Sequence, residues 1–190
     1  MVRLVAQVRN IRPGHVVIHP NRDKAACKVT RVVVVLFLLA SVALMLVVTI
    51  GGWSKLQGLK PVNFIWCALY LVVAIFIWRW ARGLLPLAAA LAILLLIIAL
   101  IAGTGLAGTS WFDRNHHGYA ASQSLLGGKG LGAGLLGSIT LLMIPVEALL
   151  LVFSMIAFAQ GWNVELEVPE EEARQRGSKP THRGAETAPA

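Results

Sequence analysis

The sequence predicts an all-α membrane protein, a four-transmembrane-helix bundle with short cytoplasmic tails. Three observations predict it. Hydrophobic residues make up 57% of the 190 residues and charged residues only 14%, against about 25% charged in an ordinary soluble domain. The charges collect in residues 1–31, in a few short connections and in residues 165–190, leaving four long apolar runs with a single charge inside them. Each run is long enough, as a helix, to cross most or all of roughly 30 Å of hydrocarbon. The predicted organisation is a basic N-terminal tail (1–31), a transmembrane domain (32–160) with spans at about 32–50, 62–78, 84–103 and 131–159, and a largely disordered C-terminal tail (161–190).

The N-terminal tail carries seven basic residues and two β-like stretches, 2–8 and 15–19, separated by the turn signal Pro13-Gly14. The apolar run that follows is longer than a signal-peptide core and lacks a small-residue cleavage site, so it is expected to act as an uncleaved signal-anchor. Span one has only Ser41 and Thr49 as polar residues, and it shows no polar stripe of the kind a soluble helix carries. Span two starts at Pro61, whose missing N–H costs nothing in a first turn. It ends in Trp78-Arg79-Trp80-Ala81-Arg82-Gly83, an aromatic and basic interface signature. The short link 79–83 predicts a tight antiparallel hairpin between spans two and three.

Span three has Pro86 in its first turn and places Ala88, Ala92, Ala99 and Gly103 on one face. Small residues let helix backbones approach closely in lipid. Residues 104–130 form the longest connection. Span four exceeds what the hydrocarbon needs, so it must tilt or begin among the headgroups. Gly130, Gly134 and Ser138, at four-residue spacing, predict a surface that packs on the alanine face of span three or serves a homo-oligomer. Beyond it, Val164-Glu165-Leu166-Glu167-Val168 alternates as a strand does. Its acidic residues suggest pairing with the basic stretch 2–8, and the polar remainder is expected to be disordered.

Orientation follows from the basic residues. With four spans both termini share a side, which holds thirteen Lys and Arg, while the opposite side holds Lys55, Lys60, Arg114 and Lys129. The excess places both termini in the cytoplasm. Trp53, Trp78, Trp80, Trp111 and Trp162 fall near span ends, as an aromatic belt requires, and Trp66 lies about a turn inside. The net charge of +8 is assigned to topology and to anionic lipid at the cytoplasmic face, not to nucleic acid. The expected location is a plasma membrane, and the Ala, Val, Leu, Gly and Arg bias suggests a GC-rich bacterium.

The one intramembrane charge is Glu147. Acids near a bilayer centre are costly and mark candidate sites. Ser41 centres span one, Tyr70 centres span two, and Glu147 lies one residue from the centre of the 138–158 part of span four. The three are therefore expected at one depth. Pro145 cannot donate to the Leu141 carbonyl, which predicts a kink and a free oxygen nearby. Such a cluster is either a neutral acid used as packing glue or a protonatable carboxyl in a cavity.

Other constellations are weaker. Asp113, His116 and His117 lack a metal-site spacing. The Gly127–Gly130 stretch does not match a phosphate-loop pattern. Cys27 and Cys67 lie in different zones and are expected as unpaired thiols. No His lies inside a span to hold haem, and no Ser-His-Asp set shares a depth. No cofactor and no catalytic residue is predicted. The expected function is a non-enzymatic assembly or interaction component that meets other membrane proteins through its tails and packing faces. The alternative is a small proton-coupled transporter or channel subunit centred on Glu147.

Overall fold

The computed structural model describes residues 14–56, 59–104, 112 and 123–175. The chain is mostly helical, at 75%, and four of its helices are long and apolar enough to cross a membrane. In order, the elements are β1 (His15–Ile18), α1 (Pro20–Asp23), α2 (Ala25–Gly51), α3 (Lys60–Trp78), α4 (Leu85–Thr104), α5 (Ala133–Ala159), β2 (Leu166–Pro169) and α6 (Glu170–Gln175). A 3-10 turn, Arg82–Leu84, leads into α4.

The four long helices form a ring that is closed on three sides. α4 packs on α5, α5 on α2, and α2 on α3, whereas α3 and α4 scarcely touch. The expected tight hairpin of spans two and three is therefore a short link between two helices that part beyond it. The alanines explain the asymmetry. Ala88, Ala92 and Ala99 of α4 are buried in the main core. At Gly103 a β-carbon would lie 2.9 Å from the Leu141 side chain and 3.2 Å from its backbone nitrogen. The small face of α4 is thus taken up by α5, and α3 has no matching surface to meet.

α2 begins at Ala25, seven residues before the apolar run, so the first tail gives way to helix earlier than expected. Thr30, in the second turn of α2, donates its hydroxyl to the Ala26 carbonyl at 2.7 Å. Arg31 lies over the rings of Trp78 and Trp80, at 4.7 and 4.1 Å from their centroids, and donates to the Trp78 carbonyl. At the end of α3, Trp80 adopts φ +68°, and Ala81 N–H reaches back to the Phe76 carbonyl. That closure normally uses glycine, since the left-handed region crowds a β-carbon. The indole is held there between Arg31 and Trp162, edge-on to the latter at 5.4 Å.

The described part of the C-terminal tail is folded, and α6 over Glu170–Gln175 corrects the expectation of disorder beyond the 164–168 strand. Trp162 is fully buried, so it is a core residue and not a member of a surface belt. β2 pairs antiparallel with β1, Val16 opposite Val168 and Val17 opposite Glu167. The strand pairing of the tails is present, but its N-terminal partner is the 15–18 stretch. Stretch 2–8, the expected partner, lies outside the described residues. Apolar burial supports the pairing: Ile18, Val168 and Ala173 of α6 bury together with Val16 against them.

Candidate functional site

The three midplane residues expected at one depth do meet. Tyr70 on α3 donates its hydroxyl to Glu147 Oε2 on α5 at 2.9 Å. Ser41 on α2 lies beside the same carboxyl. All three have no exposed surface. The ring order makes this possible, because α2 stands between α5 and α3 and brings its smallest polar side chain to the junction. Ser41 offers the carboxyl only an acceptor oxygen, however. Its hydroxyl donates to the Phe37 carbonyl one turn back, at 2.9 Å, as helical serines commonly do. Glu147 Oε1 is left without a hydrogen-bond partner among the described residues, as are Trp66 Nε1 and, two turns along α5, Ser154 Oγ. The Trp66 ring packs edge-on to Tyr70 at 6.5 Å.

Apolar packing closes the cluster on the helix axis. Met143 and Leu150, one turn to either side of Glu147 on the same face of α5, are both buried, and Phe37 stacks on Phe153 at 5.8 Å. A cavity of about 370 Å³ lies toward the end of the ring away from the tails. Its deepest lining includes Met45 and Met143, one turn short of Ser41 and Glu147. It does not reach the carboxyl.

The expected packing residues separate into two groups. Gly130 is packed, but against the chain and not against α4: a β-carbon there would lie 2.8 Å from the Gly51 carbonyl oxygen and from the Gln123 backbone. Gly134 has open space around its β-carbon position, and both Gly134 and Ser138 are exposed. The face of α5 that packs instead carries Leu136, Gly137 and Thr140. Asp113, His116 and His117 lie outside the described residues, and among those described no group of three metal-ligating side chains occurs. Cys27 and Cys67 are both buried and unpaired.

Sequence reasoning missed the network at the tail end. Gln160 Nε2 donates to Thr30 Oγ1 at 2.8 Å and its Oε1 accepts from Trp162 Nε1 at 3.0 Å. Asn21 caps the end of α5 by donating to the Gln160 and Gly161 carbonyls. Arg22 donates to the Trp162 carbonyl and Arg82 to that of Phe158. Polar residues flanking an apolar run were the visible signal, but their partners lie up to 140 residues away in the chain, beyond any local spacing rule. Comparison with protein-family models, with curated proteins and with solved structures finds no match for this chain.

Proposed function

We propose that the chain is an integral membrane protein with both tails in the cytoplasm, acting as a non-enzymatic assembly or interaction component. The observation that carries this reading is the enclosure of Glu147: no exposed surface, one tyrosine donor, and a cavity that ends one turn away. A carrier of protons needs a wetted path to its titrating group in at least one state, whereas a buried acid used to fix helix register needs only partners. In this reading Glu147 is uncharged and holds α5 to α3. The bundle then presents a folded unit, built from both tails, to a partner protein and to anionic lipid. Lys24, Lys28 and Arg79 lie at that end and suit lipid phosphates. A bacterial plasma membrane fits the composition, and nothing in the basic residues requires nucleic acid.

One observation favours the second reading, a small proton-coupled transporter or channel subunit. The cavity floor is made by two methionines, Met45 and Met143, whose unbranched side chains repack readily. The test is proton flux in vesicles holding the purified chain or its Glu147→Gln variant. The expected result is that neither dissipates a pH gradient faster than empty vesicles. Flux by the native chain that Glu147→Gln abolishes, with folding intact, would establish the transporter instead.

A further inference from the structure

We infer that the cavity between α3 and α4 is a binding site for one acyl chain of an anionic phospholipid, with the lipid's negatively charged headgroup held at Lys55 and Lys60. The inference rests on the bilayer location proposed above and adds a ligand to it. The open seam of the ring supplies the site. α3 and α4 meet at their short link and part toward the other end, so the cavity is bounded by the start of α3 and the last turns of α4, with α2 and α5 behind. Its volume of about 370 Å³ falls in the range of about 300–1,000 Å³ usual for small-molecule sites.

Its depth matches one leaflet. The lining begins at Leu56 and Leu59, beside the helix ends, and reaches Met143, ten residues into α5. Ten helical residues rise roughly 15 Å, half of the roughly 30 Å hydrocarbon thickness.

Its walls select an apolar chain. Among the lining side chains only Asn63 and Thr140 are polar, and both turn their donors inward. Asn63 Nδ2 donates to Thr49 Oγ1 at 3.0 Å, and Thr140 Oγ1 donates to the Leu136 carbonyl at 2.8 Å. A polar solute would lose its hydration here without regaining it, while an acyl chain leaves the bilayer for an equally apolar wall.

The mouth suits a negative charge. Lys55 and Lys60 adjoin the lining residues Leu56 and Leu59, and Lys60 Nζ stands 4.3 Å from the centroid of Trp53, itself an interfacial type of residue. The described residues at this end carry Lys55, Lys60 and Lys129 and no acidic side chain. The field favours an anionic headgroup.

The test uses the full chain in phosphatidylcholine vesicles containing phosphatidylglycerol with a photoreactive diazirine halfway along one acyl chain. Flotation with the vesicles checks the membrane reading separately, and a chain that does not float overturns both. For a floating chain, adducts are expected to concentrate on α4 residues 95–102 and on Met143. Ala102→Trp, which fills the cavity from its half-buried wall, should lower them several-fold. Lys55→Glu with Lys60→Glu leaves the cavity lining alone, and it should erase the preference for the phosphatidylglycerol probe over the same probe on phosphatidylcholine. Adducts spread evenly over the lipid-facing residues, such as Ile65, Ile75 and Val152, would overturn the site. So would equal labelling by both probes in the native chain. Disulfide-linked dimers of an Ile98→Cys variant, without cavity adducts, would assign the seam to a second copy and overturn the lipid.

Discussion

Tyr70 has one hydroxyl proton to donate, and it donates it to a carboxyl with no exposed surface. Removing that donor by Tyr70→Phe strands a buried acceptor and should cost about 1–3 kcal/mol. Glu147→Gln keeps an acceptor oxygen for Tyr70 and should cost less. Combining Tyr70→Phe with Glu147→Leu removes both polar groups, so the pair should be less destabilised than the sum of the singles. Thermal unfolding in detergent gives the coupling, and strict additivity would show that the contact contributes nothing. The meeting of Ser41, Tyr70 and Glu147 was legible because counting from the centre of each apolar run places a residue at a level along the helix bundle. Hydrogen-bond choice was not legible. Ser41 sits beside the carboxyl yet satisfies itself on Phe37, a local competition that depth cannot reveal.

Between helices, the decisive quantity is how near two backbones come. At Gly103 a β-carbon meets Leu141 at 2.9 Å, while at Gly134 it meets nothing within 4 Å. Gly103→Val should therefore force α4 from α5 and destabilise by about 1–3 kcal/mol. Gly134→Ala should be neutral or stabilising by up to about 1 kcal/mol, since alanine is the better helix former. Unfolding midpoints of the two variants decide it, and a loss at Gly134→Ala matching that at Gly103→Val would show that the exposed stripe is packed in the working protein. The small-residue face of α4 and that of α5 looked alike in sequence, because periodicity tells which residues share a face and not which face meets a neighbour. The separation of α3 from α4 was hidden for the same reason. A five-residue link brings two helix ends together, but the alanine face of α4 follows α5, and the remaining lengths diverge.

Across the whole molecule, the two tails are one unit with the tail end of the ring. Trp162 fills the space beside Trp80, Asn21 and Arg22 tie α1 to the end of α5, and β1 and β2 join residues far apart in sequence. Alternation at 164–168 announced a strand, but the choice of stretch 15–18 as its partner rests on Ile18 and Val168 burying together, which charge patterning does not encode. This unit has a built-in acid sensitivity at His19. Its ring stands 3.6 Å from Glu165. Burial foremost and Arg22 next push its pKa below the ordinary 6.5, while Glu165 and Asp23 pull the other way without prevailing. Unfolding of the tail unit thus lets the ring bind a proton at a higher pH than the folded form allows. The histidine's contribution is therefore whole above about pH 6.5 and is lost as pH falls from there toward the folded value. Hydrogen exchange at the β1 and β2 amides, corrected for the intrinsic pH dependence of exchange, should show protection falling across that window. His19→Gln cannot take up the proton, and its protection should stay level. Flat native protection would mean that Glu165 and Asp23 cancel burial and Arg22, and protection that rises on acidification would mean that they outweigh them.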